Sequence, residues 1–210
     1  MRRLAILGAG GHARVVADAA EAYGWAEISL FDDAWPQVTQ GPWSVIGTGS
    51  DLEARLAEFD GVIVAIGVNP VRLDKQRRLV ERGAHLVSII HPAATVSRHA
   101  RLGVGSVVFA GAVINPGVET GDAIIINTAA TIDHDCRLGD GVHISPGAHL
   151  AGGVQIGDET WIGVGASVRE LVSIGARARV GAGAAVVSSI AKGLTVVGVP
   201  ARPIQKSDHA

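Results

Sequence analysis

The sequence predicts two architectures in tandem, an α/β unit over residues 1–91 and an all-β parallel β-helix with a C-terminal cap over residues 92–210. Three observations carry the prediction. Apolar runs alternate with helical patterns as far as His91-Pro92, and beyond that point an aliphatic residue returns at every sixth position. The composition, with 28 Gly and only 4% aromatic residues, suits a core made of many small repeated contacts rather than a few large rings.

In the first unit, "RLAILGAG" is a short apolar run that ends in glycines, and "HARVVADAAEAYG" follows with helical spacing and a Gly stop. "EISLFDD" predicts a second strand ending in two acids. "SDLEARLAEFD" opens on a Ser or Asp cap and predicts a helix. "GVIVAIG" is a third strand, "NPVRLDKQRRLVERG" another helix and "AHLVSII" a fourth strand. Strands and helices alternating at this spacing specify a small parallel sheet with covering helices.

In the second unit the anchors run in steps of six from Val96 to Val186, and fifteen of the sixteen are aliphatic, Thr120 being the departure. Four residues after each anchor stands a small or aliphatic residue, from Ala100 to Ile190. That pattern is the signature of a β-helix built from hexapeptides, in which three hexads make a triangular turn and residues 18 apart stack on neighbouring coils. Solenoids of this kind need capped ends. The N-terminal unit can cover one end and "LTVVGVPARPI" the other.

Composition also narrows the function classes. The 48% hydrophobic content supports a buried core, and a net charge of -2 without a basic run gives no footprint for nucleic acid or an anionic membrane surface. A single Cys excludes an internal disulfide and any CxxC metal knuckle, which fits a reducing compartment. The apolar part of "MRRLAILGAGG" is too short for a signal peptide, and no run approaches the roughly 20 residues that span a bilayer. The expected location is the cytoplasm, with small molecules and copies of the same chain as partners.

The polar stretch "INTAATIDHDC" carries the candidate chemistry. The hexad register turns Ile126, Ile132, Ala130 and Cys136 inward, so Cys136 is expected as a small core residue. Asn127, Asp133, His134 and Asp135 face outward. A neutral imidazole at His134 is suited to take a proton from an attacking nucleophile, and a neighbouring carboxylate, Asp133 or Asp135, would fix its tautomer. Metal ligation would need partners on adjacent coils, yet 18-residue steps from His134 reach Pro116 and Gly152, so no metal is expected.

In the N-terminal unit, "GAGGHA" fits the relaxed GxGxxG/A pattern between a strand and a helix, with Asp32 and Asp33 about two dozen residues on. Such glycines let backbone approach phosphates at a helix N-terminus. About 90 residues is half of a full dinucleotide fold, and no separate substrate domain follows, which argues against an oxidoreductase. His91, at the junction, is expected to be structural.

The hexapeptide region resembles the left-handed β-helix acyltransferases. "NTAATIDHDC" with "HISPGAHLAGGV" is similar to the sugar acyltransferases that act on nucleotide-linked amino sugars, the PglD, PerB and NeuD group. The resemblance implies a left-handed coil, a half-Rossmann-like N-terminal domain, a homotrimer and acetyl-CoA as co-substrate bound between neighbouring prisms. It implies His134 as general base with Asp135 as its partner, where many relatives carry Glu, and Asn127 near the acceptor amine. It further implies His143, Gly152, Val164 and Ala182 along the acyl-CoA groove, with Ala182 standing where the family has Gly. Gly10, Gly11, His12, Asp32, Ile66, Gly67 and Asn69 match the places that hold the nucleotide sugar. The implied activity is CoA-dependent N-acetylation of a nucleotide-linked 4-amino-4,6-dideoxyhexose, UDP- or GDP-linked, in surface-glycan synthesis. O-acetylation of a sialic-acid-type sugar and a non-enzymatic nucleotide-sugar-binding scaffold are the alternatives.

Overall fold

The structure is a computed structural model and describes residues 2–37 and 41–204; Met1 and residues 205–210, the two ends of the expected units, lie outside the described residues. The first unit is a four-stranded parallel sheet of β1 (Arg3–Leu7), β2 (Glu27–Phe31), β3 (Ser44–Val45) and β4 (Gly61–Val64), in the order β3-β2-β1-β4. Three helices cover it, α1 (Gly11–Tyr23), α2 (Gly49–Ala54) and α3 (Asn69–Glu81). The αL cap at Gly24 ends α1, and Pro70 sits in the first turn of α3, where its missing N–H leaves no bond unmade.

Two sequence expectations change here. The cap of α2 is Thr48, whose hydroxyl accepts from the Asp51 N–H while the Asp51 carboxylate accepts from the Thr48 N–H, a capping box. "AHLVSII" is not a fourth strand of the small sheet. Only Leu86 bridges to Val62, and Ile89–Ile90 pairs instead with Val107–Val108, inside the β-helix. The reason is the apolar surface available: Ile89 joins Val107, Phe109 and Ile125 under α1, a larger buried cluster than an edge position would give.

From Ile89 onward the chain coils as a triangular prism. A first sheet of eight strands runs from Ile89–Ile90 through Ile125–Ile126, His143–Ile144 and Trp161–Ile162 to the cap. A second sheet of six runs from Thr95–Val96 to Ala185–Val186, and a third of four from Glu119–Thr120 to Ser173–Ile174. Strands are mostly two residues long and pair in 18-residue register, as in Thr131 with His149 and Ile132 with Leu150. The anchors and small residues fill the interior, and Cys136 is fully buried among them. At the far end Thr195–Val197 takes Arg202–Pro203 in antiparallel pairing and closes the prism.

The corner between the third and first sheets has its own ladder. Asp122, Asp140 and Asp158 each accept, through the carboxylate, from a backbone N–H of the preceding coil, at Val104, Asp122 and Asp140, all at 2.9 Å. A side chain at Gly103, Gly121 or Gly139 would collide with those carboxylates, so the glycines leave room for the ladder. Against this corner lies α3, and against the lower first sheet lies α1, so the N-terminal unit is fixed to one edge of the prism. No helix among the described residues is long and apolar enough to cross a membrane.

Candidate active site

The corner between the second and third sheets carries His134 and Asp135. Asp135 adopts φ 59°, a left-handed conformation that short polar residues tolerate, and this swings its carboxylate back onto the imidazole. His134 Nδ1 lies 2.8 Å from Asp135 Oδ2. Asp133 is engaged elsewhere: its Oδ1 accepts from Asn115 Nδ2 and from the His134 backbone N–H, both at 2.8 Å. Of the two acids that sequence left open, Asp135 therefore contacts the ring and Asp133 fixes the backbone beneath it.

With Nδ1–H donating to Asp135, the lone pair of Nε2 is left outward, on a side chain that is 61% exposed. The hydrogen bond that Nδ1–H donates to Asp135 first, and the charge of Asp133 next, raise the His134 pKa above its ordinary value. The ring rests on Gly152, where a Cβ would lie 2.5 Å from Nε2. Gly152 thus bears on the histidine from the next coil.

A second cluster occupies the corner between the first and second sheets, at the other end of the Thr131–Ile132 strand. Asn127 Oδ1 accepts from the Thr128 N–H at 2.8 Å, and its Nδ2 lies 3.3 Å from His143 Nε2. His143 is buried, stacked on Trp161 at 5.0 Å between ring centroids, and 6.5 Å from the His12 ring. Trp161 Nε1 donates to Ser145 Oγ at 2.7 Å. Val164 and Ala182 stand on the same corner and line, with Trp161, Arg179 and Thr195, a mainly apolar groove of about 360 Å³. Burial, then the charge of Arg72, pushes His12 down to about 4, and the same two causes followed by His12 push His143 down to about 3. Both imidazoles are neutral at physiological pH, and His12 Nε2 and His143 Nδ1 have no protein partner.

The glycine loop forms the third cluster. Gly8, at φ 120°, brings its backbone so close to the Ala65 carbonyl that a Cβ would lie 2.7 Å away. Gly10 caps α1 without a side-chain bond, no acid stands in the first turn, and the space beside Gly10 and Gly11 is open. The loop leaves N–H donors of the helix N-terminus available to an anion. Asp32 has its carboxylate committed to the N–H groups of Ala9 (2.8 Å) and Ala34 (2.9 Å). The carbonyls of Ile66 and Gly67 accept from Arg72, and the Asn69 amide donates to Glu159 and Thr160 carbonyls. Of these four, Asp32 holds the glycine loop directly, and the other three bond to α3 and the prism.

Among the candidate residues, then, Asn127, His143, His12, Val164 and Ala182 are brought toward one edge, while His134, Asp135 and Gly152 stand a full side of the triangle away. Sequence reasoning missed Trp161 and Arg72. Trp161 was within reach, since two 18-residue steps from Ile125 through His143 arrive at it on the outward side of the first sheet. Arg72 gave no signal beyond its place on a helix.

The family model of the PglD N-terminal domain matches residues 3–79. The acetyltransferase domain of PglB from Neisseria gonorrhoeae, solved with acetyl coenzyme A, is 46% identical with a TM-score of 0.93, covering 97% of this chain and 99% of that one. PerB from Caulobacter crescentus, solved with CoA and GDP-perosamine, is 40% identical with a TM-score of 0.92, covering 98% of each chain. UDP-N-acetylbacillosamine N-acetyltransferase of Bacillus subtilis is 37% identical over 113 residues, and the match spans 52% of this chain and about half (52%) of that curated relative's length.

Proposed function

We propose, from the premise that this chain belongs to the PglD and PerB family of CoA-dependent N-acetyltransferases, that it acetylates the amine of a nucleotide-linked 4-amino-4,6-dideoxyhexose with His134 as general base. The observation that carries the reading is the His134–Asp135 pair, with Nδ1 tied to the carboxylate at 2.8 Å and Nε2 free on an exposed corner. The family relatives support the substrate class, one being seen with GDP-perosamine and another named for a UDP-linked amino sugar.

In this reading the neutral sugar amine attacks the thioester carbonyl carbon of acetyl-CoA. A C–N bond forms, and the carbonyl oxygen becomes an oxyanion, for which backbone N–H groups in the groove are natural donors. His134 Nε2 takes the proton from the nitrogen, and Asp135 stabilises the imidazolium. Collapse of the intermediate breaks the C–S bond, and the proton passes to the departing CoA thiolate. The enzyme ends as it began, with no covalent intermediate.

Asn127 and His143 belong to this chemistry as contacts for the acceptor and the thioester, and Val164 and Ala182 as walls of the CoA groove. Gly10, Gly11 and His12 would meet the nucleotide diphosphate. Because these groups stand on a different corner from His134, a homotrimer is the natural arrangement, with the second–third corner of one prism meeting the first–second corner of its neighbour. Holding both substrates in one such cleft would supply much of the rate through orientation. The proposed setting is cytoplasmic synthesis of a surface glycan.

His134→Ala tests the reading. Turnover should fall about a hundredfold or more while acetyl-CoA still binds, and near-normal turnover would sink it. Thermal-shift screening with UDP-, GDP- and dTDP-linked amino sugars identifies the nucleotide, since a ligand of the native state raises its apparent stability.

A further inference from the structure

The polar face of α3 is built to read the coils of the prism. Gly105, Ala123, Gly141 and Glu159 stand 18 residues apart on the third–first corner, and all four have left-handed φ, between 54° and 67°. Gln76 donates to the Val104 carbonyl on the first of these coils. Arg72 donates to the carbonyls of Ala123 and Gly141 on the next two, each at 2.8 Å, and Asn69 to those of Glu159 and Thr160 on the fourth. Three side chains spaced three and four residues apart thus meet four coils in order. The match is geometric, because a helix turn advances about 5.4 Å and stacked strands about 4.8 Å.

Arg72 does more than dock the helix. It is 1% exposed, and its guanidinium is shared among five acceptors: the two corner carbonyls, the carbonyls of Ile66 (3.0 Å) and Gly67 (3.3 Å), and Asn69 Oδ1 (3.0 Å). No carboxylate pairs with it among the described residues. A buried cation with only carbonyl partners is costly to keep, since desolvation of the charge is offset only by well-aligned bonds. Lys, a single rotatable ammonium, could not reproduce the fork.

We propose that Arg72 is a positioning residue for the reaction, clamping the Ile66–Gly67 loop of the nucleotide-binding unit to the third–first corner of the β-helix and so fixing where the nucleotide is presented to the prism. The placement of His12 6.5 Å from His143 across the same junction depends on that clamp. This inference rests on the nucleotide-sugar reading of the glycine loop.

Two variants test it, Arg72→Met, which keeps the stem and loses every donor, and Arg72→Lys, which keeps the charge and loses the fork. KM for the nucleotide sugar should rise about tenfold in Arg72→Met, with KM for acetyl-CoA unchanged, because the CoA groove lies on another corner. Hydrogen exchange of the ligand-free proteins should show faster exchange in the segment around Gly67 and Asn69 for both variants, with the distant coils near Ile162 and Val180 unaffected. Equal rises in both KM values, or unaltered exchange around Gly67, would overturn the clamp. If Arg72→Met fails to fold, Arg72→Lys carries both measurements. Failure of the wild-type protein to bind any nucleotide-linked amino sugar would refute the functional reading, and the exchange experiment would still decide the clamp by itself.

Discussion

Gly152→Ala displaces the proposed base without replacing it. An added Cβ would lie 2.5 Å from His134 Nε2, 2.6 Å from Cε1 and 3.2 Å from Cδ2. Carbon contacts settle near 3.5–4.0 Å, so the ring must move by about 1 Å. The backbone at Gly152 lies outside the left-handed region, unlike Gly153 at φ 69°, so alanine is admissible there. The imidazole is 61% exposed and can swing into solvent, which makes the move inexpensive for the fold. Stability should change by less than about 1 kcal/mol, and restricting the unfolded chain acts in the variant's favour. Activity should not escape, because a misplacement of about 1 Å costs on the order of a hundredfold in a reaction that depends on alignment. The measurement is CoA-thiol release at saturating substrates, with a melting curve and an acetyl-CoA binding isotherm on the same sample. A fall in kcat with unchanged melting and binding supports the reasoning. A raised KM for acetyl-CoA with wild-type kcat would refute it, and would assign Gly152 to the CoA groove alone.

Three further outcomes follow from the same geometry. Asp135→Asn removes the largest cause of the raised His134 pKa, so the acid limb of the kcat/KM profile should move to lower pH while the plateau falls, whereas Asp133→Asn, the lesser cause, should move the limb less. Acid should weaken the fold through His12 and His143: their folded values, about 4 and about 3, lie below the unfolded value, so the unfolded chain binds more protons and stability is lost as pH falls below about 6.5. At pH 5 the two histidines together cost about 4 kcal/mol, visible as a lower denaturant midpoint than at pH 7 and absent in a His12→Gln, His143→Gln variant; His134, with its raised value, acts in the opposite direction. Co-expressed His134→Ala and Asn127→Ala chains, each inactive alone, should recover activity at about one site in four if every site joins two protomers of a symmetric trimer, and no recovery would place the whole site within one chain.

The prism was legible because its period is arithmetic. An aliphatic anchor each sixth residue fixes which side chains enter, and that alone sent Cys136 inward and Asn127, His134 and Asp135 outward. The 18-residue step extends the same logic to the Gly121-Asp122 and Gly139-Asp140 pairs, whose ladder could have been read off their spacing. What periodicity does not encode is conformation at a corner. Asp133 and Asp135 are equivalent neighbours of His134 in the sequence, and they differ because Asp135 turns left-handed while Asp133 accepts from its own following N–H. Nor does a short apolar run state which sheet will take it, so Ile89–Ile90 went to the prism for the sake of a larger buried surface under α1. Asp32 was legible as an acid ending the second strand and Asn69 only through the family resemblance, but their hydrogen bonds bind backbone, a use that depends on carbonyls and N–H groups arriving from distant parts of the chain.

The separation of the candidate groups follows from how a β-helix is made. Its flat sides are committed to strand pairing, with one inward and one outward residue per short strand, and only the corners can redirect a carboxylate onto a neighbouring imidazole. The His134–Asp135 pair therefore sits at a corner, and a triangular coil keeps its corners a full side apart. On the first sheet the N-terminal unit uses that distance: α1 covers the lower coils, and the His12 ring lies 6.5 Å from that of His143, which stacks on Trp161 of the apolar groove. His134 lies beyond the second sheet, exposed, with Nδ1 on the Asp135 carboxylate and its ring over Gly152. In the proposed trimer its outward Nε2 would meet the first–second corner of a neighbouring prism. In the proposed trimer, a stack of repeats whose coils are satisfied only by their neighbours would have its site complete only when prisms stand side by side.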